Sequence, residues 1–240
     1  MGLSDLFFRT SVPKCSAVIV AAGSSVRMGE DKLSAPLCGV PVLVRTLRVF
    51  EQSENVAEIV IVTRQDKLEQ ISDLVAQNGF RKVTRVVAGG KTRMESSLIG
   101  VSSVKANAKL IAIHDGARPL LTEALIKRTV AAAAEYMAAV PALPSTDTLK
   151  AVGADKRVLG TVDRETTFRV QTPQVFDAVL IKGALTKAAE KGLSLSDDSA
   201  AMDMTGFKSV VVAGEEDNIK LTTPRDFMIA EAILKSRGEA

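Results

Sequence analysis

One short segment near the start of the chain constrains the fold more than any other. Its first half, Ala17–Ala22, is a wholly apolar run of strand length, which is typical of a buried parallel strand. The run leads into small residues whose backbone N–H groups a ligand can approach closely, namely Ala21, Ala22, Gly23, Ser24 and Ser25. Two cations, Arg27 and Lys32, follow. Because open α/β sheets bind ligands at the carboxyl ends of their strands, the segment suits a polyphosphate site. An ordinary strand-to-helix turn with solvated charges fits the same residues equally well.

Two familiar phosphate-binding motifs do not fit this chain. The dinucleotide fingerprint G-x-G-x-x-G fails because Ser25 stands where its second glycine belongs. Gly89–Thr92 resembles the end of a P-loop, but the glycine that this motif requires further upstream is replaced by Arg85. The sequence therefore disfavours both a Rossmann dehydrogenase and a P-loop kinase.

The composition disfavours several other classes of protein. The 240-residue chain has a net charge of +3 without a basic block, and it contains one tyrosine and no tryptophan. With few side chains that could stack on bases, we expect no nucleic-acid partner. The first fourteen residues lack the pattern of a signal peptide, and Glu135 and Pro141 interrupt the longest run of small apolar residues. We therefore expect a cytoplasmic protein without a membrane segment, in which Cys15 and Cys38 are reduced thiols.

Strand-like and helix-like patterns alternate along the chain. The predicted strands are Ala17–Ala22, Glu58–Thr63, Lys82–Val87, Lys109–His114, a run near Met137–Leu143, and Phe207–Ala213. The predicted helices are Pro41–Gln52, Gln65–Asn78, Thr92–Val104, Glu123–Tyr136, Asp177–Lys191 and Thr223–Lys235. This βαβ rhythm predicts an α/β fold with a doubly wound, mostly parallel, Rossmann-like sheet, in one domain over residues 1–240.

The rhythm breaks between Pro144 and Gln174. Two short β-like runs, Thr146–Val152 and Arg157–Val162, are joined by a turn sequence and predict a hairpin arm inserted at 144–174. An isolated hairpin is only marginally stable in water. We therefore expect this arm to pack on something else, for example on a second subunit.

An acidic residue ends the fourth predicted strand. Asp115 is well placed to hold Mg²⁺, which accepts one or two carboxylates together with phosphate oxygens. A helix cap or a simple ion pair between Asp115 and Arg118 explains the same residues. His114, the one histidine of the chain, lies on a buried strand, and we favour a structural role for it over a role as general base.

Several further segments combine with these in a recognisable order. After the small-residue loop come Gly89-Gly90, Arg93 and Ser96, then His114–Pro119, Asp147-Thr148, Thr161–Arg164, Gln171–Gln174 and Asp217–Lys220. Each segment is weak alone. Together, from Lys14 to the end of the chain, they resemble the 2-C-methyl-D-erythritol 4-phosphate cytidylyltransferase family, and Thr161–Arg164 and Asn218–Lys220 are the most specific parts.

The resemblance implies roles for these residues. Arg27 and Lys32 would stabilise the transition state, while Arg164 and Lys220 would position the sugar phosphate, with Thr148 and Thr172 beside it. Asp115 would hold the Mg²⁺. The residues implied around CTP are Ala21 to Ser25, Gly90, Ser96, Asp115, Gly116 and Arg118. The family also implies a nucleotidyltransferase that acts as a homodimer, whose arm reaches into the neighbouring site.

The implied reaction joins CTP and 2-C-methyl-D-erythritol 4-phosphate and releases pyrophosphate. The nearest alternative is a ribitol 5-phosphate cytidylyltransferase, followed by a nucleotidyltransferase for another sugar phosphate and by a catalytically inactive nucleotide-binding regulator. The chain departs from the family pattern in a shorter spacing between Arg27 and Lys32, and in Ser25, Leu33, Lys91 and Gly116. These departures concern the triphosphate loop and the nucleotide contacts.

Overall fold

Strand β1, Cys15–Ala21, lies inside the main sheet in the computed structural model, which describes residues 13–23 and 32–240. It is parallel to β4, Val56–Thr63, on one side and to β6, Leu110–Asp115, on the other. Both faces of β1 are buried, since Ala17, Ile19 and Ala21 pack into one apolar core and Val18 into the other. This burial on two faces explains why the strand is a continuous apolar run rather than an alternating one.

The other elements follow the predicted alternation. The remaining strands are β2 Pro36–Leu37, β3 Val40–Pro41, β5 Val83–Ala88, β7 Ala138–Pro144, β8 Lys150–Val152, β9 Val158–Thr161, β10 Phe168–Val170, β11 Gln174–Asp177 and β12 Val210–Ala213. The helices are α1 Val42–Gln52, α2 Leu68–Gln77, α3 Arg93–Ser103, α4 Glu123–Tyr136, α5 Ala178–Glu190, α6 Ser199–Asp203 and α7 Pro224–Arg237. The predicted helix Gln65–Asn78 begins as a 3₁₀ turn, Gln65–Lys67, before α2.

The main sheet has the strand order β10-β7-β11-β6-β1-β4-β5, with β12 beside β7. Strands β5, β4, β1 and β6 are mutually parallel, whereas β11 runs antiparallel to both β6 and β7. Helices α1, α2, α4 and α7 bury one face of the sheet, and α3, α5 and α6 bury the other. The predicted doubly wound, mostly parallel α/β fold is confirmed.

The segment 144–174 is only partly a separate hairpin. Strands β8 and β9 pair with each other in a small sheet of their own, as predicted, but they are shorter than the predicted runs. At the carboxyl end of the segment, β10 and β11 return to the main sheet and pair with β7. The sequence did not predict these two strands, because three or four residues are too few to show a period. The same reason applies to α6 and to the β2–β3 hairpin.

Close packing of α3 on the sheet yields a prediction. A Cβ atom at Gly100 would lie 2.7 Å from Cγ2 of Val62 and closer still to Val18, both fully buried. Gly100→Ala should therefore lower the free energy of unfolding by about 1–3 kcal/mol, measured by urea denaturation. The matched control is Gly183→Ala in α5, where a Cβ meets nothing within 4 Å and should stabilise the helix by about 0.5–1 kcal/mol. Equal effects at both positions would contradict this account of the packing.

Candidate active site

A cavity of about 450 Å³ opens at the carboxyl ends of β1, β4, β5 and β6. Because these strands are parallel, the loops that follow them meet at the same edge of the sheet. The residues that line the cavity come from all four loops and from the segment before α7: Val20, Ala21, Ala22, Gly23, Lys32, Leu33, Arg64, Gln65, Gly89, Gly90, Lys91, Thr92, Arg93, Ser96, Asp115, Ala117 and Lys220. Five of these described residues are cationic, and one, Asp115, is acidic. The cavity therefore suits an anionic ligand.

Small residues allow two loops to form one wall of this cavity. A Cβ atom at Gly89 would lie 2.7 Å from both Cβ of Ala22 and Oγ of Ser96, so the backbone at Gly89 packs against the end of β1 only because it has no side chain. At Gly90, a Cβ would collide with Glu95. The wall consequently presents backbone rather than side chains, as the small residues of the sequence predicted.

The start of α3 is held firmly beside this wall. The hydroxyl of Thr92 accepts the N–H of Glu95 at 3.1 Å, and the Glu95 carboxylate accepts the N–H of Lys91 at 2.6 Å. The hydroxyl of Ser96 donates to the carbonyl oxygen of Thr92. The Thr92 bond satisfies an N–H that a helix start leaves without a partner, and the first residues of α3 lie at the lining of the cavity.

Asp115 lies on the floor of the cavity within reach of three cations. One carboxylate oxygen, Oδ2, is 2.9 Å from Nζ of Lys220 and 3.8 Å from Nε of Arg118, and Oδ1 is 3.2 Å from Nε of Arg93. Burial by itself raises the pKa of a carboxyl group, but Arg93 and Lys220 outweigh it, so the pKa of Asp115 lies well below its ordinary value. Asp115 is thus ionised in this site.

Arg93 is shared between two carboxylates. Besides Asp115, its guanidinium contacts Oδ2 of Asp198 at 2.7 Å through the terminal NH2 group. Burial alone lowers the pKa of Arg93, but Asp198 and Asp115 outweigh it and raise the pKa above its ordinary value. Asp198 has only 1% of its surface exposed, and burial raises its pKa.

His114 is neutral and structural, as its place on a buried strand indicated. Its Nε2 lies 3.2 Å from the carbonyl oxygen of Arg118, which can only accept, so Nε2 carries the proton. Its Nδ1 then accepts from the hydroxyl of Thr172 at 2.9 Å, and that hydroxyl in turn accepts the backbone N–H of Asp115. Burial lowers the pKa of His114 to about 3. The ring also packs against Phe50, with the ring centroids 5.0 Å apart, and His114 is fully buried and does not line the cavity.

The loop that carries Lys220 is tied to the same network. Asn218 is fully buried and donates from its side-chain amide to the carbonyl oxygen of Thr172 at 2.8 Å. Its own carbonyl oxygen accepts from Arg118 at 2.6 Å. The side chain of Gln171 donates to the carbonyl oxygen of Glu215 and accepts the N–H of the same residue. These bonds fix the loop that brings Lys220 to Asp115.

The structure brings together about half of the predicted site residues. Lining the cavity are Ala21, Ala22, Gly23, Lys32, Gly90, Ser96, Asp115 and Lys220. Gly116, Arg118 and Thr172 lie next to these residues but belong to the supporting network, where Gly116 donates to the carbonyl oxygen of Val20. Thr148 and Arg164 are exposed on the segment that carries the hairpin and do not line this cavity. Ser24, Ser25 and Arg27 lie outside the described residues.

Sequence reasoning missed the pairing of Arg93 with Asp198. Arg93 is the first residue of α3, where the helix dipole disfavours a cation, and this is a usable signal that an acidic group elsewhere holds it. Asp198 offers no such signal, because an Asp before a short helix usually caps it. In the structure, however, the side chain of Asp198 makes no cap bond to α6.

Comparisons with known proteins agree with this geometry. A family model described as 2-C-methyl-D-erythritol 4-phosphate cytidylyltransferase matches residues 15–236. The chain belongs to this family. A relative of that name from Caldanaerobacter subterraneus is 40% identical over 92% of this chain and 98% of its own. Another, from Halalkalibacterium halodurans, is 42% identical over 92% of this chain and 97% of its own.

A solved structure extends the family match to the fold. The crystal structure of the 4-diphosphocytidyl-2C-methyl-D-erythritol synthase from Anaerococcus prevotii is 32% identical, with a TM-score of 0.83, and the match covers 93% of this chain and 97% of that one. A nucleotidyltransferase is thereby favoured over an inactive regulator. Among residues 13–23 and 32–240, no helix has both the length and the apolar character needed to cross a membrane.

The buried neutral state of His114 predicts how stability depends on pH. The unfolded chain protonates His114 at a pKa of about 6.5, whereas the folded chain keeps it neutral down to about pH 3. Below pH 6.5 the unfolded state binds the extra proton, so acidification favours unfolding. Between pH 7 and pH 5 we expect a loss of about 2 kcal/mol in the free energy of unfolding, measured by urea denaturation. His114→Gln is the control, and a loss as steep in that variant would contradict the assignment.

Proposed function

We propose that this protein transfers a cytidylyl group from CTP to 2-C-methyl-D-erythritol 4-phosphate and releases pyrophosphate. The observation that carries the proposal is the cavity of this family member, which combines one acidic and five cationic lining residues with a wall of backbone. Such a lining binds a triphosphate by charge and leaves room for a nucleoside beside the backbone donors. A cytoplasmic location follows from this proposal, because CTP is drawn from the pool in the cytoplasm.

This reaction has no need of a general base. The attacking atom is a phosphate oxygen, and a phosphomonoester has a second pKa of about 6, so it is already ionised near neutral pH. The difficulty is the approach of two anions, which positioning and positive charge overcome. This requirement fits a chain whose single histidine is buried, neutral and engaged at both ring nitrogens.

Lys32 and Lys220 are placed to act on the phosphates. Both line the cavity, and Lys220 lies 2.9 Å from Asp115. In the proposed mechanism Lys32, together with Arg27, stabilises the charge that develops on the transferred phosphorus, and Lys220 positions the sugar phosphate. A substrate phosphate would compete with Asp115 for the ammonium group of Lys220, so binding and the release of this ion pair are coupled.

Asp115 is the residue that would hold a divalent cation. Among the described residues there is no cluster of three or more His, Cys, Asp and Glu side chains, so these residues form no complete metal cage. A single ionised carboxylate at the floor of a polyphosphate cavity still fits Mg²⁺, which takes few protein ligands and completes its shell with phosphate oxygens and water. When bound, Mg²⁺ neutralises charge on the phosphates.

The hairpin completes the proposal with a second subunit. Strands β8 and β9 expose apolar side chains, among them Val152, Val158 and Leu159, the last with 73% of its surface accessible. A two-stranded sheet with such a surface gains stability by packing on another copy of the chain. We propose a homodimer in which this arm carries Thr148 and Arg164 to the partner's cavity.

An assay of pyrophosphate release tests the reaction. With CTP, Mg²⁺ and 2-C-methyl-D-erythritol 4-phosphate we expect multiple turnovers, and we expect none when EDTA removes the metal. Ribitol 5-phosphate in place of the methylerythritol phosphate tests the alternative substrate. Faster release with ribitol 5-phosphate would replace the proposed substrate, and no release with either would overturn the proposed reaction.

Loss of the Lys32 ammonium group should reduce turnover. If this group acts mainly in the transition state, Lys32→Ala lowers kcat by about a hundredfold or more while the affinity for CTP changes little. The kinetic constants are measured by pyrophosphate release and the affinity by calorimetry. Lys182→Ala, an exposed lysine of α5 outside this cavity, is the control. Turnover near that of the wild type in Lys32→Ala would remove Lys32 from the mechanism.

Subunit exchange tests the shared site. Arg164→Ala and Lys32→Ala should each be nearly inactive as homodimers, because every site then lacks one group. In a heterodimer of the two variants, one site carries both defects and the other is complete, so about half of the wild-type activity per dimer should return. Mass spectrometry verifies the exchange. Verified heterodimers without activity would show that the arm serves its own subunit.

A further inference from the structure

Two adjacent carboxylates before α6 have different surroundings. Asp197 makes local bonds, since its oxygens accept the N–H of Ala200, the hydroxyl of Ser199 and the side-chain amide of Gln174. The side chain of Asp198 makes no cap bond to α6, although its backbone carbonyl oxygen accepts the N–H of Ala201. Its carboxylate lies 2.7 Å from the guanidinium of Arg93. Asp198 is only 1% exposed, so its carboxylate has lost its contact with water. The ion pair with Arg93 offsets part of that loss.

Arg93 needs such an anchor for two reasons. It stands at the first position of α3, where the helix dipole repels a cation, and its second partner is Asp115 at 3.2 Å. Asp115 is also in contact with Lys220, and it is the lining carboxylate available to a metal ion. Whenever a divalent cation occupies Asp115, Arg93 loses that attraction and is repelled by the new charge. Asp198 lies behind Arg93, away from this competition.

We propose that Asp198 is a positioning residue that holds Arg93 in the wall of the cavity while Asp115 is engaged with a divalent cation. This inference rests on the proposed function. The two carboxylate partners of Arg93 then have different roles. Asp115 changes from Arg93 to the divalent cation, whereas Asp198 stays paired with Arg93. Without Asp198, the guanidinium has Asp115 as its remaining carboxylate partner among the described residues and therefore competes with the metal ion for it.

Asp198→Asn tests this separation, because it removes the charge and keeps the size of the side chain. We expect CTP to bind about tenfold more weakly and the Mg²⁺ concentration for half-maximal CTP binding to rise several-fold, both measured by calorimetry, which requires no turnover. The effect should appear in KM more than in kcat. Asp203→Asn is the control, since Asp203 ends α6, the helix that follows Asp198, and pairs with Lys208 on the surface.

A merely structural role for Asp198 predicts a different result. In that case the variant would lose thermal stability while the folded fraction binds CTP and Mg²⁺ as the wild type does, and the proposal would be overturned. Asp198→Glu, which returns the carboxylate, should recover most of the affinity for CTP. If Asp198→Asn does not fold, Asp198→Glu is compared with the wild type by the same calorimetry. A positioning role predicts that its small remaining loss of CTP affinity comes with a raised Mg²⁺ requirement. A Mg²⁺ requirement equal to that of the wild type would overturn the proposal.

A double variant separates Asp198 from its partner. Arg93→Gln alone leaves Asp198 buried without a cation and should lower the melting temperature. Adding Asp198→Asn should restore the melting temperature but not the affinity for CTP, which should equal that of Arg93→Gln because Asp198 acts only through Arg93. A further loss of affinity in the double variant would overturn the proposal. Failure of the wild type to release pyrophosphate would instead overturn the proposed function. The calorimetric measurements would still test the role of Asp198, because they require no turnover.

Discussion

The arrangement of this site depends on the charge of one nearly buried carboxylate. Asp115 ends β6, and three cations approach it from three different parts of the chain: Arg93 from α3, Arg118 from the following turn, and Lys220 from the segment before α7. Without these cations, burial would favour the protonated form of Asp115. Without Asp115, three positive charges would repel one another at the floor of the cavity. The carboxylate and its cations therefore hold each other in place, and a polyphosphate bound in the cavity would compete for the same cations.

A polar network beneath this cluster keeps it in register with the sheet. His114 couples Arg118 to Thr172, and Thr172 couples His114 to the backbone of Asp115. His114, Thr172 and the backbone of Asp115 are joined through neutral hydrogen bonds, so this network adds no charge of its own beside Asp115. A protonated His114 would add a fourth cation to the cluster, and its deep burial prevents this at physiological pH. The same network explains why a phosphate-transfer site can contain its only histidine and yet make no use of it as a base.

The sequence was sufficient to predict the sheet but not the contacts within the site. The apolar runs that became β1, β4 and β6 are buried on both faces, which makes their pattern strong and local. The cavity-lining positions Lys32, Gly90 and Ser96 were predicted from their places after strands and by resemblance. The supporting roles of Arg118 and Thr172 were not, because a hydrogen bond to a residue distant in sequence leaves no periodic signal. The strands β10 and β11 were missed because tertiary pairing with β7, rather than their own residue pattern, defines them.

The arrangement of Arg93 shows why such contacts matter for the chemistry. A cation at a helix start is unfavourable by itself because of the helix dipole, and a carboxylate with 1% exposure is unfavourable by itself because it has lost water. At 2.7 Å, the attraction between Arg93 and Asp198 offsets both costs. The pair adds no net charge, so the positive field of the cavity is set by the remaining cations and by Asp115. In the proposed mechanism, Asp115 changes its cationic partner while the wall of the cavity has to keep its shape. Two carboxylates contact the guanidinium of Arg93: Asp115 lines the cavity, and Asp198 is buried outside it. This arrangement is what the proposed mechanism requires, because one partner of Arg93 can change while the other stays.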